Sequence, residues 1–115
     1  MANPVAWFEV SGPDAGGLQR FYAELFGWAI DASNEMGYGM VAAQEGGIPG
    51  GVGPSPDGSS QVTFYVSVPD LQAALDRAEQ LGGKIVTPPM QVPDGPMLAY
   101  FTDPAGNRIG LMKGQ

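Results

Sequence analysis

A repeat within the chain constrains its fold more than any other feature of the sequence. Residues 7–30 align without a gap on residues 63–86, a shift of 56 positions. The alignment brings together these identical residues: Phe8/Phe64, Val10/Val66, Ser11/Ser67, Pro13/Pro69, Asp14/Asp70, Leu25/Leu81 and Gly27/Gly83. A chain that carries one pattern twice is expected to form two copies of one structural unit.

The repeated pattern is that of a strand, a helix and a second strand. Residues 5–10 and 62–68 are rich in β-branched and aromatic residues, and a Pro-Asp pair follows each run, as where a strand enters a turn. Apolar residues then recur at steps of three and four up to a glycine, which predicts an amphipathic helix with Asp14 or Asp70 as its N-cap. The predicted buried faces are Leu18, Phe21, Tyr22, Leu25 and Phe26 in the first helix and Leu71, Ala74, Leu75, Ala78 and Leu81 in the second.

Each repeat continues into a hairpin, so the chain is predicted to hold two βαβββ modules. The turn of the second hairpin is Asp-Pro-Ala-Gly-Asn at residues 103–107, a composition typical of tight turns. Residues 87–96 carry prolines at 88, 89, 93 and 96 and are predicted to be an irregular connection. The predicted hairpin strands are residues 38–43, 48–53, 97–102 and 108–113.

The length of 115 residues fits one compact domain whose two modules share a core or a cavity. The segment Pro-Ser-Pro-Asp-Gly-Ser-Ser has the composition of a linker and lies where the first repeat ends. We therefore predict a single domain, 1–115, made of a first module (1–53), a linker (54–61) and a second module (62–115).

Charge and composition exclude several classes of partner. The net charge of −7 argues against nucleic acid and against an anionic membrane surface, and it is compatible with a cationic ligand. The chain contains no cysteine, so disulfides give no indication of the compartment. No apolar run of about 18 residues is present, and the first residues lack the pattern of a signal peptide. Cytoplasmic residence is the default prediction.

Three motifs in this order carry a resemblance to a known superfamily. They are Phe21-Tyr22 with Leu25-Phe26-Gly27-Trp28, the Val-Pro-Asp-Leu entry to the second helix, and Asp-Pro-Ala-Gly-Asn before the last strand. Together with the paired βαβββ modules they resemble the vicinal oxygen chelate superfamily, which includes glyoxalase I, bleomycin resistance proteins and extradiol dioxygenases. The resemblance implies an α+β fold in which two half-open sheets form a cup around a central cavity, and it implies a homodimer.

Enzymes of this superfamily usually hold a divalent metal, and the resemblance places the ligand positions at Trp7, Thr63, Gly110 and Gly51. An indole offers only a donor, glycine has no side chain, and a single threonine hydroxyl does not hold a transition metal against water. The chain also contains no histidine. We therefore predict that the protein uses no metal and no other cofactor.

Strand alternation predicts which side chains face a ligand. If Phe8 and Val10 pack against the first helix, then the alternate residues of the same strand point into the cup, and the other strands follow the same rule. The predicted ligand-binding residues are Trp7, Glu9, Thr63, Tyr65, Leu98, Tyr100, Arg108 and Met112. Glu9 and Tyr100 are the candidates for catalysis.

Each candidate also has a structural interpretation. Trp7 and Tyr65 could fill the space left where metal ligands were replaced, since an empty apolar cavity costs stability. Glu9 could pair with Arg108 or with solvent, and Tyr100 could pack with its hydroxyl bonded to backbone.

Three functions remain open from the sequence. The first is a metal-independent protein of the bleomycin-resistance type that binds a small aromatic or apolar molecule. The second is a metal-free isomerase, cyclase or lyase with Glu9 as general base and Tyr65 or Tyr100 stabilising developing charge. The third is a protein whose cup is filled by its own side chains and whose role is association with a partner.

Overall fold

The structure is a computed structural model that describes residues 2–93 and 95–114. These residues form eight strands and two helices in the order βαβββ–βαβββ, which confirms the predicted α+β class and the paired modules. The helices are α1 (Ala15–Phe26) and α2 (Leu71–Gln80). The strands are β1 (Val5–Gly12), β2 (Ile30–Asp31), β3 (Gly39–Val41), β4 (Gly50–Pro54), β5 (Gln61–Val68), β6 (Lys84–Gln91), β7 (Met97–Thr102) and β8 (Arg108–Lys113).

The chain divides into two compact units, one of Trp7–Thr63 and one of Met1–Ala6 with Phe64–Gln115. In the first unit the strand order is β2-β3-β4-β1, with β1 parallel to β4 and the other pairs antiparallel. In the second unit the order is β5-β8-β7-β6, again with one parallel pair, β5 and β8. The two sequence repeats therefore produce the same topology.

Both helices begin at the predicted capping residue. The Asp14 carboxylate accepts a hydrogen bond from the backbone N–H of Gly17 at 3.0 Å, and the Asp70 carboxylate accepts one from Ala73 at the same distance. Helix α1 ends at Gly27, whose φ of 73° is the left-handed conformation that glycine adopts at little cost. Among the described residues no helix is long and apolar enough to cross a membrane.

The predicted buried face of α1 is wrong for three of its five residues. Phe21, Leu25 and Phe26 are 57%, 58% and 56% exposed, and no residue of this helix is fully buried. For Phe21 and Leu25 the reason is the side chain of Gln19, whose Nε2 donates to the carbonyl oxygens of Val52 at 2.8 Å and of Gly37 at 2.9 Å. These bonds turn the Gln19 side of the helix toward the sheet, and Phe21 and Leu25 lie on the side away from it. Phe26 shares the Gln19 side and is exposed as the last residue of the helix.

The second helix packs as its pattern predicts. Leu71 and Leu75 are buried. They form the core of this unit with Val68, Ala99 and Leu111. Leu75 has no exposed surface, so its burial alone stabilises the fold by about 2 kcal/mol. The exception is Leu81 at the end of the helix, which is 62% exposed.

The prediction of an irregular connection over residues 87–96 is wrong for its first half, because β6 continues through Pro88 and Pro89 to Gln91. A proline cannot donate to a strand ladder, but β6 lies at the end of the strand order. Its pairing with β7 also shifts register between Ile85 and Met90, so the two prolines fall outside the regular ladder. Position 94 lies outside the described residues.

The turn between β7 and β8 is held by the carboxylate of Asp103, as its composition predicts. One oxygen accepts from the backbone N–H groups of Ala105 and Asn107 at 2.9 Å, and the other accepts from the Asn107 side-chain amide at 2.9 Å. The Asn107 side chain, followed by its backbone N–H, holds the pKa of Asp103 below its ordinary value. Gly106 completes the turn with a φ of 92°.

Candidate functional site

In the first unit, three side chains form a hydrogen-bonded chain on one face of the sheet. Trp7 Nε1 donates to the hydroxyl oxygen of Tyr38 at 3.0 Å, and that hydroxyl donates to Oε2 of Glu9 at 2.9 Å. Trp7 and Glu9 alternate along β1, so they share a face, and all three side chains are half-buried. The Tyr38 hydroxyl thus joins the Trp7 indole to the Glu9 carboxylate, so a carboxylate lies beside two aromatic rings.

The glycines of β4 make the position of Tyr38 possible. Gly51 lies opposite Glu9 in the parallel ladder, and a Cβ atom at Gly51 would overlap the hydroxyl and ring of Tyr38. A Cβ at Gly53 would lie 2.6 Å from Cδ1 of the same ring. The Tyr38 backbone is fixed by Asn34, whose side chain bonds both its N–H at 2.9 Å and its carbonyl oxygen at 2.6 Å.

Tyr38 was not among the residues predicted to face a ligand. The signal that could have found it is the glycine-rich run 50–53, which indicates that another group approaches the strand closely. The sequence does not identify that group. Tyr38 precedes β3, and only the pairing of β3 with β4 brings its ring over Gly51.

In the second unit, Tyr65, Tyr100 and Arg108 lie together on one face of the sheet. Gly110 of β8 pairs with Tyr65 on one side and with Tyr100 on the other, and a Cβ on this glycine would overlap the Tyr65 ring. The two tyrosine hydroxyl oxygens are 2.5 Å apart. The Arg108 guanidinium lies over the Tyr100 ring, 3.9 Å from its centroid, in a cation–π contact.

The other predicted site residues differ in their accessibility. Leu98 and Met112 pair directly across β7 and β8 on the face that holds Tyr100 and Arg108, and all four are half-buried. Thr63 and Tyr65 are only 5% and 2% exposed. Tyr100 and Arg108 are therefore partly accessible on this face, whereas Tyr65 is buried and contacts Tyr100 through its hydroxyl.

The residues at the positions that the resemblance assigns to metal ligands do not fit a divalent cation. Trp7 is engaged with Tyr38, Thr63 offers a single hydroxyl, and the spaces above Gly51 and Gly110 are occupied by tyrosine rings. Elsewhere in the described residues no group of three or more His, Cys, Asp or Glu side chains could hold a metal ion.

Solved structures of other proteins show the same arrangement of modules. The BH1468 protein of Bacillus halodurans superposes with a TM-score of 0.75 at 9% identity, covering 100% of this chain and 96% of that one. A glyoxalase/bleomycin resistance protein/dioxygenase superfamily member from Vibrio splendidus superposes with a TM-score of 0.66 at 14% identity, covering 98% and 100%. The fold is therefore that of this superfamily.

The profile of the glyoxalase-like domain matches residues 7–112, and the chain belongs to that family. The provisionally named glyoxylase CFP32 of Mycobacterium tuberculosis is 28% identical over 113 residues, which cover 91% of this chain and 43% of that protein. The anthracycline biosynthesis protein DnrV of Streptomyces peucetius is 30% identical over a gapped alignment of 132 positions, which covers 95% of this chain and 48% of that protein. The chain thus spans less than half the length of these two relatives.

Proposed function

We propose that this protein is a metal-independent, glyoxalase-like protein that binds a small aromatic or largely apolar organic molecule. The observation that carries the proposal is the occupation of two metal-ligand positions, Gly51 and Gly110, by tyrosine rings. At a third such position stands Trp7. The sheet faces thus offer rings and one carboxylate where metal-dependent relatives offer ion ligands.

The first unit supplies the chemistry for recognition. The rings of Trp7 and Tyr38 are half-buried neighbours, and an aromatic ligand that stacks on one of them gains about 0.5–1.5 kcal/mol beyond the burial of its area. The carboxylate of Glu9 adjoins these rings and attracts a positive charge on the ligand. The net charge of −7 favours the same cationic ligands over anionic ones.

Trp7 provides its own reporter in a Trp28→Phe background, since the chain has only two tryptophans. Three aromatic probes of equal size, one cationic, one neutral and one carboxylate, are titrated while fluorescence and melting temperature are recorded. We expect the cationic and neutral probes to quench Trp7 and raise the melting temperature. If none of the three probes quenches Trp7 or raises the melting temperature at millimolar concentration, the proposal is overturned.

The role of charge is tested by Glu9→Gln with Glu45→Gln as its matched control. Both variants lose one carboxylate, but Glu45 lies in an exposed turn between β3 and β4. We expect Glu9→Gln to weaken binding of the cationic probe by roughly 5- to 30-fold, the range for a partly desolvated charge contact. Glu45→Gln should change the affinity for this probe little.

A second candidate is a metal-free isomerase, cyclase or lyase with Glu9 as general base. It is favoured by the 2.9 Å bond between the Tyr38 hydroxyl and Glu9, which places a phenol beside a carboxylate, two group types that can transfer protons in a chain without histidine. In this case a substrate is converted, and Glu9→Gln abolishes turnover while the substrate still binds. Ligand binding with no product at any pH favours the first candidate.

A further inference from the structure

The second unit contains an apolar groove beside helix α2. The helix packs over β6, β7 and β8, whereas β5 lies at the far end of the strand order of this unit. The space between the helix and β5 is a groove of about 400 Å³, a volume within the range of small-molecule sites. Its apolar lining is formed by Val66, Val68, Ala74, Ala78, Phe101 and Leu111.

The groove lies on the opposite face of the sheet from the tyrosine cluster. Tyr65 and Val66 are neighbours on β5, and Tyr100 and Phe101 are neighbours on β7. Successive side chains of a strand point to opposite faces. A ligand in the groove is therefore separated from Tyr65 and Tyr100 by the sheet, and the groove is a site of its own.

The sequence of α2 explains why the groove is open. Leu71 and Leu75 are buried against the core. Ala74, Ala78 and the C-cap residue Leu81 form a second apolar stripe that borders the groove, where the two alanines are half-buried and Leu81 is 62% exposed. The short side chains of the alanines leave space that larger residues would fill. This stripe therefore forms one wall of the groove.

The charged residues at the groove are Arg77 and Asp103. Both carboxylate oxygens of Asp103 accept hydrogen bonds from its own turn, whose donors offset the negative charge. The Arg77 guanidinium is exposed and donates to the neutral side-chain oxygen of Gln80 at 3.0 Å, which does not offset its positive charge. The groove thus combines apolar walls with a guanidinium at its rim.

We propose that this groove binds small carboxylic acids with an apolar body, such as aryl-alkyl acids. The body lies against Val66 and Ala78, and the carboxylate meets Arg77, whose planar guanidinium matches a carboxylate with two parallel hydrogen bonds. A neutral analogue lacks this contact, and a cationic analogue meets a like charge. Because the groove is open on one side, we expect a dissociation constant of roughly 0.1–1 mM.

The test is an NMR titration of the intact chain with phenylpropionate, phenylpropanol and phenylpropylamine, which share one apolar body. We expect phenylpropionate to shift the backbone amide signals of Val66, Ala74 and Ala78 and to bind about 5-fold more tightly than the alcohol. Absence of these shifts at about 10 mM probe, well above the expected dissociation constant, would overturn the proposal. Equal or tighter binding of the alcohol or the amine would overturn it as well.

The contribution of charge is tested by Arg77→Gln. This variant should bind phenylpropionate about 5-fold more weakly and bind phenylpropanol unchanged. Its matched control is Arg20→Gln, which removes the same charge from an exposed position of α1 in the other unit and should leave both affinities as they were. Equal effects of the two variants on phenylpropionate would refute the role of Arg77.

The location is tested by Ala78→Leu, which fills the groove and should weaken both the acid and the alcohol by at least about 10-fold. Its matched control is Ala73→Leu at an exposed position of the same helix. Equal affinities of these two variants would refute the site, and their melting temperatures establish that both fold. The inference does not rest on the proposed function, because quenching of Trp7 reports on the first unit and these amide shifts report on the second.

Discussion

The overlap between Gly51 and Tyr38 leads to a quantitative prediction for Gly51→Ala. The added Cβ cannot share space with the Tyr38 ring, and the β4 backbone cannot withdraw, because it is paired with β1 and β3. The ring must therefore leave its position. Its hydroxyl then loses the bonds to Trp7 and Glu9.

The size of the loss follows from those two bonds. A neutral hydrogen bond contributes about 1 kcal/mol and one to a carboxylate about 1.5–3 kcal/mol. The smaller entropy of the unfolded alanine chain offsets about 0.4–1 kcal/mol. We expect Gly51→Ala to lower the free energy of unfolding by about 2–3 kcal/mol, a large part of the 5–15 kcal/mol typical of small domains.

Urea unfolding followed by circular dichroism measures this change. At a slope of about 1.5 kcal/mol/M the midpoint should fall by roughly 1.3–2 M. The matched control is Gly47→Ala in an exposed turn, where the nearest atom to the new Cβ, the Gln44 carbonyl oxygen, is 3.5 Å away. This control should be neutral or slightly stabilising.

A double-mutant cycle shows whether the cause is the ring. In a Tyr38→Ala background the overlap is gone, so Gly51→Ala should cost nothing further, and the two substitutions should be non-additive by about 2–3 kcal/mol. Additive effects, or a Gly51→Ala protein within about 0.5 kcal/mol of the parent, would show that the ring does not occupy the space above this glycine.

Two further predictions concern the second unit. Asn107→Ala removes the largest cause of the lowered pKa of Asp103, so an NMR titration should show this pKa rising toward its ordinary value, and an unchanged pKa would contradict the assignment. Because the pKa of Asp103 is lower in the folded than in the unfolded chain, the stabilisation from this turn is present above about pH 4 and is lost as the pH falls through the folded pKa. Leu75→Ala should cost about 2–5 kcal/mol in the same urea assay while Leu81→Ala costs less than about 0.5 kcal/mol, and similar losses at the two positions would contradict the burial of α2.

The sequence predicts the local features of the fold because local chemistry determines them. Asp14 and Asp70 cap their helices through atoms three residues away, and Gly27 and Gly106 adopt backbone conformations that other residues avoid. Signals of this kind lie within one turn of chain. They do not depend on how the elements pack.

Burial of α1 could not be predicted in the same way. The spacing of Phe21 and Leu25 shows that they share a stripe, but not whether the sheet lies beneath it. That is decided by Gln19 and by the carbonyl oxygens of Gly37 and Val52, which are distant in sequence. In α2 the buried face is the one that the apolar pattern predicts, because Leu71 and Leu75 pack against apolar side chains from β5, β7 and β8.

The two modules reach one arrangement by different routes. Gly51 and Gly110 correspond when the hairpins are aligned, and each has a tyrosine ring over it. In the first module the ring is Tyr38, which comes from the approach to β3 and bonds Glu9; in the second it is Tyr65, which comes from β5 and bonds Tyr100. A tyrosine hydroxyl enclosed in a fold normally meets a hydrogen-bond partner, whether its ring fills space or lines a site. The hydroxyl bonds therefore fit both a binding site and a core that has closed, and ligand-dependent quenching of Trp7 distinguishes the two.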